Sequence, residues 1–325
     1  MSKPTLSVIM GNYNHAQYIG EALESILAQS FRPQEVVVID DGSTDNSIQV
    51  IEAFTKRDSI VHLLRNERNM GVVPTVNRGL EHATGDYIYS AAADDRILPG
   101  LFEISMKLLA KYPQAGLCCS DPAYFDERTS AISEIQLFLS DKPTYFTPTE
   151  WFELIRRKRA WVAGHTSVVK RAALLEAGGM LPELRWHCDW FALLVISFRY
   201  GVCYIPESLA VMRISPSSYS ASGGRQWAAQ KRVLIYLLHL LKSPGYRDVL
   251  LLFQQSGIMS CFCSKILRVL LSKPEHWDYL SPLLIARVLW NEALGWVARN
   301  APSSLKHIYR SVRDKRRQNK RMKQK

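Results

Sequence analysis

The sequence lacks the patterns that mark zinc-finger, secreted and membrane-spanning proteins. Its six cysteines form no CxxC pair, so a zinc site is not expected. We expect reduced thiols and a cytoplasmic location instead. The apolar run near the N-terminus is too short for a signal peptide. No stretch reaches the roughly 18 uninterrupted apolar residues of a membrane span, and among the longest candidates is VLIYLLHLL at 233–241.

A glycine-rich dinucleotide loop is also missing. The first strand-like run, LSVIM at 6–10, is followed by GNYNHAQ rather than by G-x-G-x-x-G. That loop is what lets a pyrophosphate approach the start of a helix in nicotinamide-dependent enzymes. A dehydrogenase is therefore disfavoured.

Acidic residues are nearly absent from residues 306–325, here called the basic tail, which hold ten Lys or Arg and one Asp. This tail carries +9 of the net charge of +11, which leaves +2 for the rest of the chain. A basic segment after amphipathic helices suits binding to an anionic lipid surface. We therefore expect peripheral binding at the inner face of the plasma membrane. No nucleic-acid-binding module accompanies it, so nucleic acid is not an expected partner. A solvated helix end is the plain alternative.

The first hundred residues alternate between buried strand patterns and amphipathic helix patterns. Strands are predicted at 6–10, 35–40, 60–65 and 86–93, and helices at 16–29, 47–54 and 72–83. Ser43, Thr44 or Asp45 is expected to cap the second helix. This order predicts an α/β fold with an open, mostly parallel sheet, right-handed crossovers and helices on its faces.

Polar residues follow each predicted strand. They are Asn12, Tyr13 and Asn14, then Asp40 and Asp41, then Asn66 and Asn69, then Asp94 and Asp95. Ligands bind at the carboxyl ends of strands in such sheets, so we expect one shared cleft. The alternative is that each cluster is a turn with Asx hydrogen bonding.

The composition changes near residue 225, after the small-residue segment SSYSASGGRQ at 217–226. Beyond it the patterns are mostly helical and rich in Leu and Trp. We therefore expect a sheet domain at 1–224, a helical region at 225–305 and the basic tail at 306–325.

Two segments resemble the inverting family 2 glycosyltransferases, which have the GT-A fold. They are LSVIMGNYNHAQYIGEALESILAQSFRPQEVVVIDDGSTDNS at 6–47 and NMGVVPTVNRGLEHATGDYI at 69–88, within a match over 5–220. The resemblance implies transfer of a sugar from a UDP-, GDP- or dTDP-linked donor to a hydroxyl of a saccharide or lipid-linked acceptor. It also suggests a role in the synthesis of a cell-surface polysaccharide or glycoconjugate.

The same resemblance implies roles for individual residues on the donor side. Asp94 stands where the family's DxD motif ends and would hold Mg²⁺ or Mn²⁺ on the donor diphosphate. Asp40 and Asp41 match the pair that recognises nucleobase and ribose. The remaining nucleotide-sugar positions are Asn12, Asn14, Asn69 and Arg213.

The chain departs from the family pattern at three positions. The first Asp of Asp-x-Asp-Asp is replaced in Ala92-Ala93-Asp94-Asp95, the Arg usual before Asn77 is Val76, and Ser215 stands where a metal-binding His is frequent. Metal coordination is then expected to depend on Asp94, water and phosphate. A catalytically weak nucleotide-sugar-binding protein is the alternative function.

The segment ELRWHCDW at 183–190 resembles the family's Glu-Asp-Trp segment, which lies on the acceptor side of the family's site. Asp189 then matches the general base that deprotonates the acceptor hydroxyl. A helix N-cap is the structural alternative for Asp189. His187 and His165 are acceptor-side candidates, for which simple packing is the alternative.

Overall fold

The computed structural model describes residues 3–158, 160–215, 223 and 226–300. The basic tail lies outside these residues. The chain divides into two compact units, Met1–Trp151 with Ala160–Val233, and Phe152–Arg159 with Leu234–Lys325. The domain boundary predicted at 224 stays a prediction.

The first unit begins with the predicted alternation of strands and helices. In chain order the elements are β1 (Leu6–Asn12), α1 (Ala16–Leu27), β2 (Glu35–Asp40), α2 (Ser47–Arg57), β3 (Val61–Arg65), α3 (Val72–His82) and β4 (Tyr87–Ala92). The strands lie in the order β3-β2-β1-β4, and each neighbouring pair is parallel. Their continuous apolar runs are buried because helices cover the sheet.

The sheet is mixed beyond β4. Its other strands are β5 (Arg96–Ile97), β6 (Leu117–Asp126), β7 (Ala131–Glu134), β8 (Thr144–Phe146), β9 (Val168–Lys170) and β10 (Val202–Ile214). β9 lies antiparallel between β4 and β6, while β6 and β10 are parallel. The predicted α/β class with flanking helices is confirmed, although the parallel order is interrupted at β9.

Among the described residues, the remaining helices lie partly between β5 and β10 in the chain and partly after β10. They are α4 (Leu101–Lys111), α5 (Pro148–Lys158), α6 (Arg171–Glu176), α7 (Cys188–Tyr200), α8 (Trp227–Lys242), α9 (Arg247–Ser256), α10 (Ser264–Leu270) and α11 (Pro282–Asn300). Within the described ranges, no helix combines the length and the apolar character needed to cross a bilayer.

Two local predictions differ from the structure. β1 continues to Asn12, because Asn12 pairs in register with Asp40 of β2. The N-cap of α2 is Asn46, not Ser43, Thr44 or Asp45. Asp45 still helps to order the turn, since its carboxylate accepts from the backbone N–H groups of Ala16 and Ser47.

Close packing fixes α3 against the sheet. A Cβ added at Gly79 would lie 2.6 Å from Cδ1 of Ile39 and 3.2 Å from Cβ of Ile9. Glycine is therefore needed where this helix crosses β1 and β2. The crossing also sets the position of the loop between β3 and α3, which borders the polar strand ends.

Candidate active site

The parallel strands bring their polar ends to one edge of the sheet. Asn12 pairs in register with Asp40, Asp40 with Arg65, and Gly11 with Ala92. The residues that follow β1 to β4 therefore emerge side by side, as the sequence predicts. They divide into two hydrogen-bonded groups.

The first group is organised around Asp40, which is buried. Its Oδ1 accepts from Asn12 Nδ2 at 2.8 Å and from Ser43 Oγ at 2.6 Å, and its Oδ2 accepts from Ser43 N at 3.0 Å. Asn14, in the left-handed region with φ 55°, accepts on Oδ1 from Thr44 N at 2.8 Å. These contacts hold the loops after β1 and β2 together.

The second carboxylate, Asp41, orders the loop before α3. It accepts from Asn66 Nδ2 at 2.7 Å and from the backbone N–H groups of Met70 and Gly71, both at 2.8 Å. Asn69 also accepts from Gly71 N, at 2.9 Å. Asp40 and Asp41 therefore fix the loops that carry Asn14 and Asn69, and both of these asparagines are exposed.

One polar atom of this group is left without a partner. Asn12 Oδ1 is buried and makes no hydrogen bond to any described residue. A buried carbonyl oxygen that accepts no hydrogen bond is costly, so a bound ligand with an N–H or O–H group at this position would satisfy it.

The second group lies after β4 and at the end of β10. Asp95 accepts from Arg213 N at 2.8 Å, and Arg213 Nε donates to the carbonyl oxygen of Asp94 at 3.2 Å. Desolvation by burial, then repulsion by Asp94, raises the pKa of Asp95 to about 7. The carboxylate of Asp94 has no hydrogen-bond or ion-pair partner among residues 3–158, 160–215 and 226–300.

Arg213 is surrounded by residues that the sequence analysis did not single out. Its guanidinium lies 4.2 Å from the ring centre of Tyr18 and 5.0 Å from that of Phe125. Its Nη atoms lie 3.6 Å from Glu127 Oε1 and 4.0 Å from Glu21 Oε2. Tyr18 and Glu21 are three residues apart on α1 and so share a helix face. Their spacing therefore indicates in the sequence that both can contact the same group.

A cleft of 160 Å³ opens beside this group and is lined by Glu21, Asp94, Arg96, Phe125, Val211 and Arg213. Divalent magnesium and manganese bind through one or two carboxylates, with phosphate and water completing the shell. The unpaired carboxylate of Asp94, next to Asp95, fits this requirement. Ser215 follows β10 and does not supply a nitrogen ligand.

Asp189 lies in the first turn of α7, and the N-cap of this helix is His187. The N-cap alternative for Asp189 is therefore wrong. Asp189 Oδ1 accepts from Trp190 N at 2.7 Å, and a Cβ added at Gly164 would lie 2.8 Å from Oδ2. Desolvation by the surrounding protein raises the pKa of this carboxyl. The residue is exposed, and its contact with solvent limits that rise.

The two histidines of the acceptor side have different surroundings. His165 follows Gly164, its carbonyl accepts from Tyr89 O–H at 2.8 Å, and burial lowers the pKa of its imidazole to about 4. Its Nε2 is buried and has no partner among the described residues. His187 Nε2 lies 3.0 Å from Gln230 Nε2 and 3.2 Å from Gln230 Oε1. Asp189 therefore lies against Gly164, the residue before His165, whereas His187 lies within hydrogen-bond distance of Gln230 in α8.

Comparisons with known proteins agree with this architecture. The model of the family "Glycosyl transferase family 2" matches residues 7–174, which is more than half of the chain. EpsE of Bacillus subtilis (strain 168), named as a glycosyltransferase, is 35% identical over 127 residues. That match covers 39% of this chain and 46% of EpsE, so the chain spans about half the length of this relative.

Solved structures share the fold at low sequence identity. S. aureus TarS 1-349 in complex with UDP-GlcNAc has a TM-score of 0.60 at 16% identity, covering 79% of this chain and 73% of that one. The mannosyltransferase PcManGT from Pyrobaculum calidifontis, in complex with GDP-Man and Mn²⁺, has a TM-score of 0.53 at 16% identity, covering 100% and 84%. The predicted GT-A fold is confirmed. On the family match over residues 7–174, the chain belongs to glycosyl transferase family 2.

Proposed function

We propose that this protein is an inverting glycosyltransferase that moves a sugar from a nucleoside-diphosphate sugar to a hydroxyl of a saccharide or lipid-linked acceptor. The observation that carries the proposal is the unpaired carboxylate of Asp94 beside Arg213 in a cleft at the strand ends. Family membership supports the reaction class. TarS with UDP-GlcNAc and PcManGT with GDP-Man support a nucleotide-sugar donor.

The donor diphosphate is proposed to lie in the cleft beside Asp94. A divalent cation held there by Asp94 would stabilise the negative charge that develops on the departing nucleoside diphosphate. Arg213 Nε–H donates to the carbonyl oxygen of Asp94 and the guanidinium lies over the rings of Tyr18 and Phe125, so it is positioned for phosphate oxygens. Asn12, Asn14, Asp40, Asp41 and Asn69 are proposed to form the nucleoside side of the site.

Asp189 is the proposed general base. An inverting transfer needs a carboxylate that removes the acceptor proton as the hydroxyl attacks the anomeric carbon. Asp189 meets this need because one oxygen is oriented by Trp190 N while the residue is open to solvent. His165 is proposed to be an acceptor contact rather than a cation, since the low pKa of its imidazole keeps it neutral near pH 7. His187 is the second acceptor candidate.

An anionic membrane surface is the proposed location of the reaction, and a cell-surface polysaccharide or glycoconjugate is the proposed product. Leu289, Trp290 and Trp296 of α11 are exposed. Tryptophan and leucine on an exposed helix suit the interface of a bilayer. The basic tail follows this helix in the sequence and adds +9 of charge.

A donor panel tests the proposal. UDP-, GDP- and dTDP-sugars are screened by thermal shift with and without Mn²⁺, and nucleotide release is then measured with candidate acceptors. We expect one donor class to stabilise the wild type in a metal-dependent way, and the product anomer to be inverted relative to the donor. Donor binding without release would favour the alternative, a catalytically weak nucleotide-sugar-binding protein. No binding of any donor would contradict both.

A further inference from the structure

A cluster of metal-binding side chains lies in the second unit, and the transferase proposal does not use it. His239 lies near the C-terminal end of α8, while Glu275 and His276 lie in the short 3₁₀ helix Pro274–Tyr279. One ligand atom from each residue lies within 4.8 Å of the other two. Counting cysteines cannot reveal such a site, because none of its ligands is a thiol.

His276 is the residue that points to a ligand. The residue is 1% exposed, and neither ring nitrogen has a hydrogen-bond partner among the described residues. Its Nε2 lies 3.6 Å from Glu275 Oε1, too far for a hydrogen bond, and its ring packs edge-on against that of His239 at 5.5 Å. Buried imidazole nitrogens without partners are costly, so a bound group would satisfy an existing need.

We propose that His239, Glu275 and His276 bind a zinc ion, with water as the fourth ligand. Two imidazole nitrogens and one carboxylate oxygen are a donor set that zinc accepts, whereas magnesium and calcium prefer oxygen alone. Bond lengths of about 2.1 Å place tetrahedral ligand atoms about 3.4 Å apart. The observed 3.6 Å between His276 Nε2 and Glu275 Oε1 is close to that spacing.

The two elements are held together by other contacts, so the site is largely preformed. Tyr279 O–H donates to the carbonyl of Leu238 at 2.8 Å, and Lys242 Nζ donates to the carbonyl of Glu275 at 2.7 Å. Zinc would therefore cross-link α8 and the 3₁₀ helix without a large rearrangement.

A nearby lysine competes for the same carboxylate. Lys273 Nζ lies 3.3 Å from Glu275 Oε1, in a pair whose side chains are both more than half exposed. An exposed pair of this kind contributes little to stability. The ammonium can turn into solvent when a divalent ion binds the carboxylate.

The test is a metal titration of the full chain, with any affinity tag removed and the protein stripped by chelator. We expect a single Zn²⁺ to bind and to raise the melting temperature, and Co²⁺ in its place to show the visible absorption of a four-coordinate site. His239→Ala and Glu275→Gln change exposed ligands and should leave the fold intact. Each should weaken binding more than about tenfold, since even the loss of a hydrogen-bond partner of a metal ligand costs about that much.

Two controls separate this site from other sources of binding. His62→Ala removes an exposed histidine of β3 and should bind zinc as the wild type does. Asp94→Asn should also keep zinc binding, because it alters only the proposed donor site. The proposal is overturned if the wild type binds no zinc, or if His239→Ala and Glu275→Gln bind it as tightly as the wild type. Loss of zinc binding in Asp94→Asn alone would place the ion at the strand ends and also overturn it.

Discussion

The contact between Gly164 and Asp189 allows the proposed base to be displaced without changing it chemically. Gly164 does not have a positive φ, so alanine can adopt its backbone conformation. The added Cβ, however, would lie 2.8 Å from Asp189 Oδ2, whereas ordinary contacts begin at 3.4 Å. Gly164→Ala should therefore move the carboxylate by about 0.6 Å.

The size of the effect follows from that displacement. A misplacement of about 1 Å in a reacting group can cost about a hundredfold in rate. We therefore expect kcat to fall about tenfold or somewhat more in Gly164→Ala. Asp189→Asn, which removes the base entirely, should cost about 10²–10⁴-fold. Donor binding should be unchanged in both variants, because neither residue lies in the cleft beside Asp94.

The assay is acceptor-dependent release of nucleoside diphosphate, with donor affinity measured separately. Gly245→Ala is the matched control, since a Cβ at Gly245 meets no atom within 4 Å. Asp141→Asn is the control for the charge change, because Asp141 is an exposed loop residue. Circular dichroism and melting temperature confirm that each variant is folded.

Two results would refute the reasoning. If Gly164→Ala and Asp189→Asn both turn over within a few-fold of the wild type, Asp189 is not the base. If Gly164→Ala loses donor affinity along with kcat, the substitution has disturbed the sheet edge as a whole. A loss of turnover in Asp189→Asn but not in Gly164→Ala would agree with Asp189 as the base. It would show that the carboxylate can shift away from the added Cβ without a cost in rate.

Four further predictions follow from the described contacts. Asp94→Asn should abolish the Mn²⁺-dependent part of donor affinity while the fold survives, as calorimetry with and without Mn²⁺ would show. Asp41→Asn should cost about 2 kcal/mol of unfolding free energy in urea, because its amide would face the N–H of Gly71. His165 has a pKa of about 4, below its usual 6.5, so its contribution to stability is present above pH 6.5 and is lost as pH falls. The wild type should therefore lose about 2 kcal/mol more than His165→Gln between neutral pH and a pH of about 5. Deleting residues 306–325 should weaken co-sedimentation with anionic vesicles, by about 1 kcal/mol for each Lys or Arg that reaches the surface, and spare activity in solution.

The strands and helices of the first unit could be predicted because each local pattern agrees with the sheet that results. The runs around Val8 and Val37 are buried on both sides, and α1 places Ile19, Leu23 and Ile26 on its buried face. β9 could not be foreseen in its position. Its three residues carry no periodic signal, and its place between β4 and β6 depends on pairing with distant strands.

The residues of the site were easier to find than their partners. Asp40, Asp41 and Asp94 stand out in the sequence because carboxylates follow apolar strands. That Asp41 accepts from Met70 and Gly71, and that Asp94 has no partner, depends on loops whose conformation the sequence does not specify. The surroundings of Arg213 were missed for the same reason, since Glu127 is more than a hundred residues away from Tyr18 along the chain.

The charge balance of the cleft gives a reason to expect metal dependence. Arg96 is paired with Glu21 at 2.9 Å, and Arg213 has Glu127 at 3.6 Å. Each guanidinium therefore already has a carboxylate beside it, and the negative charge of Asp94 is left over. A diphosphate that enters this cleft to contact Arg213 would also meet the unpaired carboxylate of Asp94. A divalent cation shared between that carboxylate and the phosphate oxygens removes the repulsion on both sides. Removing the charge at Asp94 should consequently make residual donor binding less sensitive to chelator, while it removes the gain that Mn²⁺ provides.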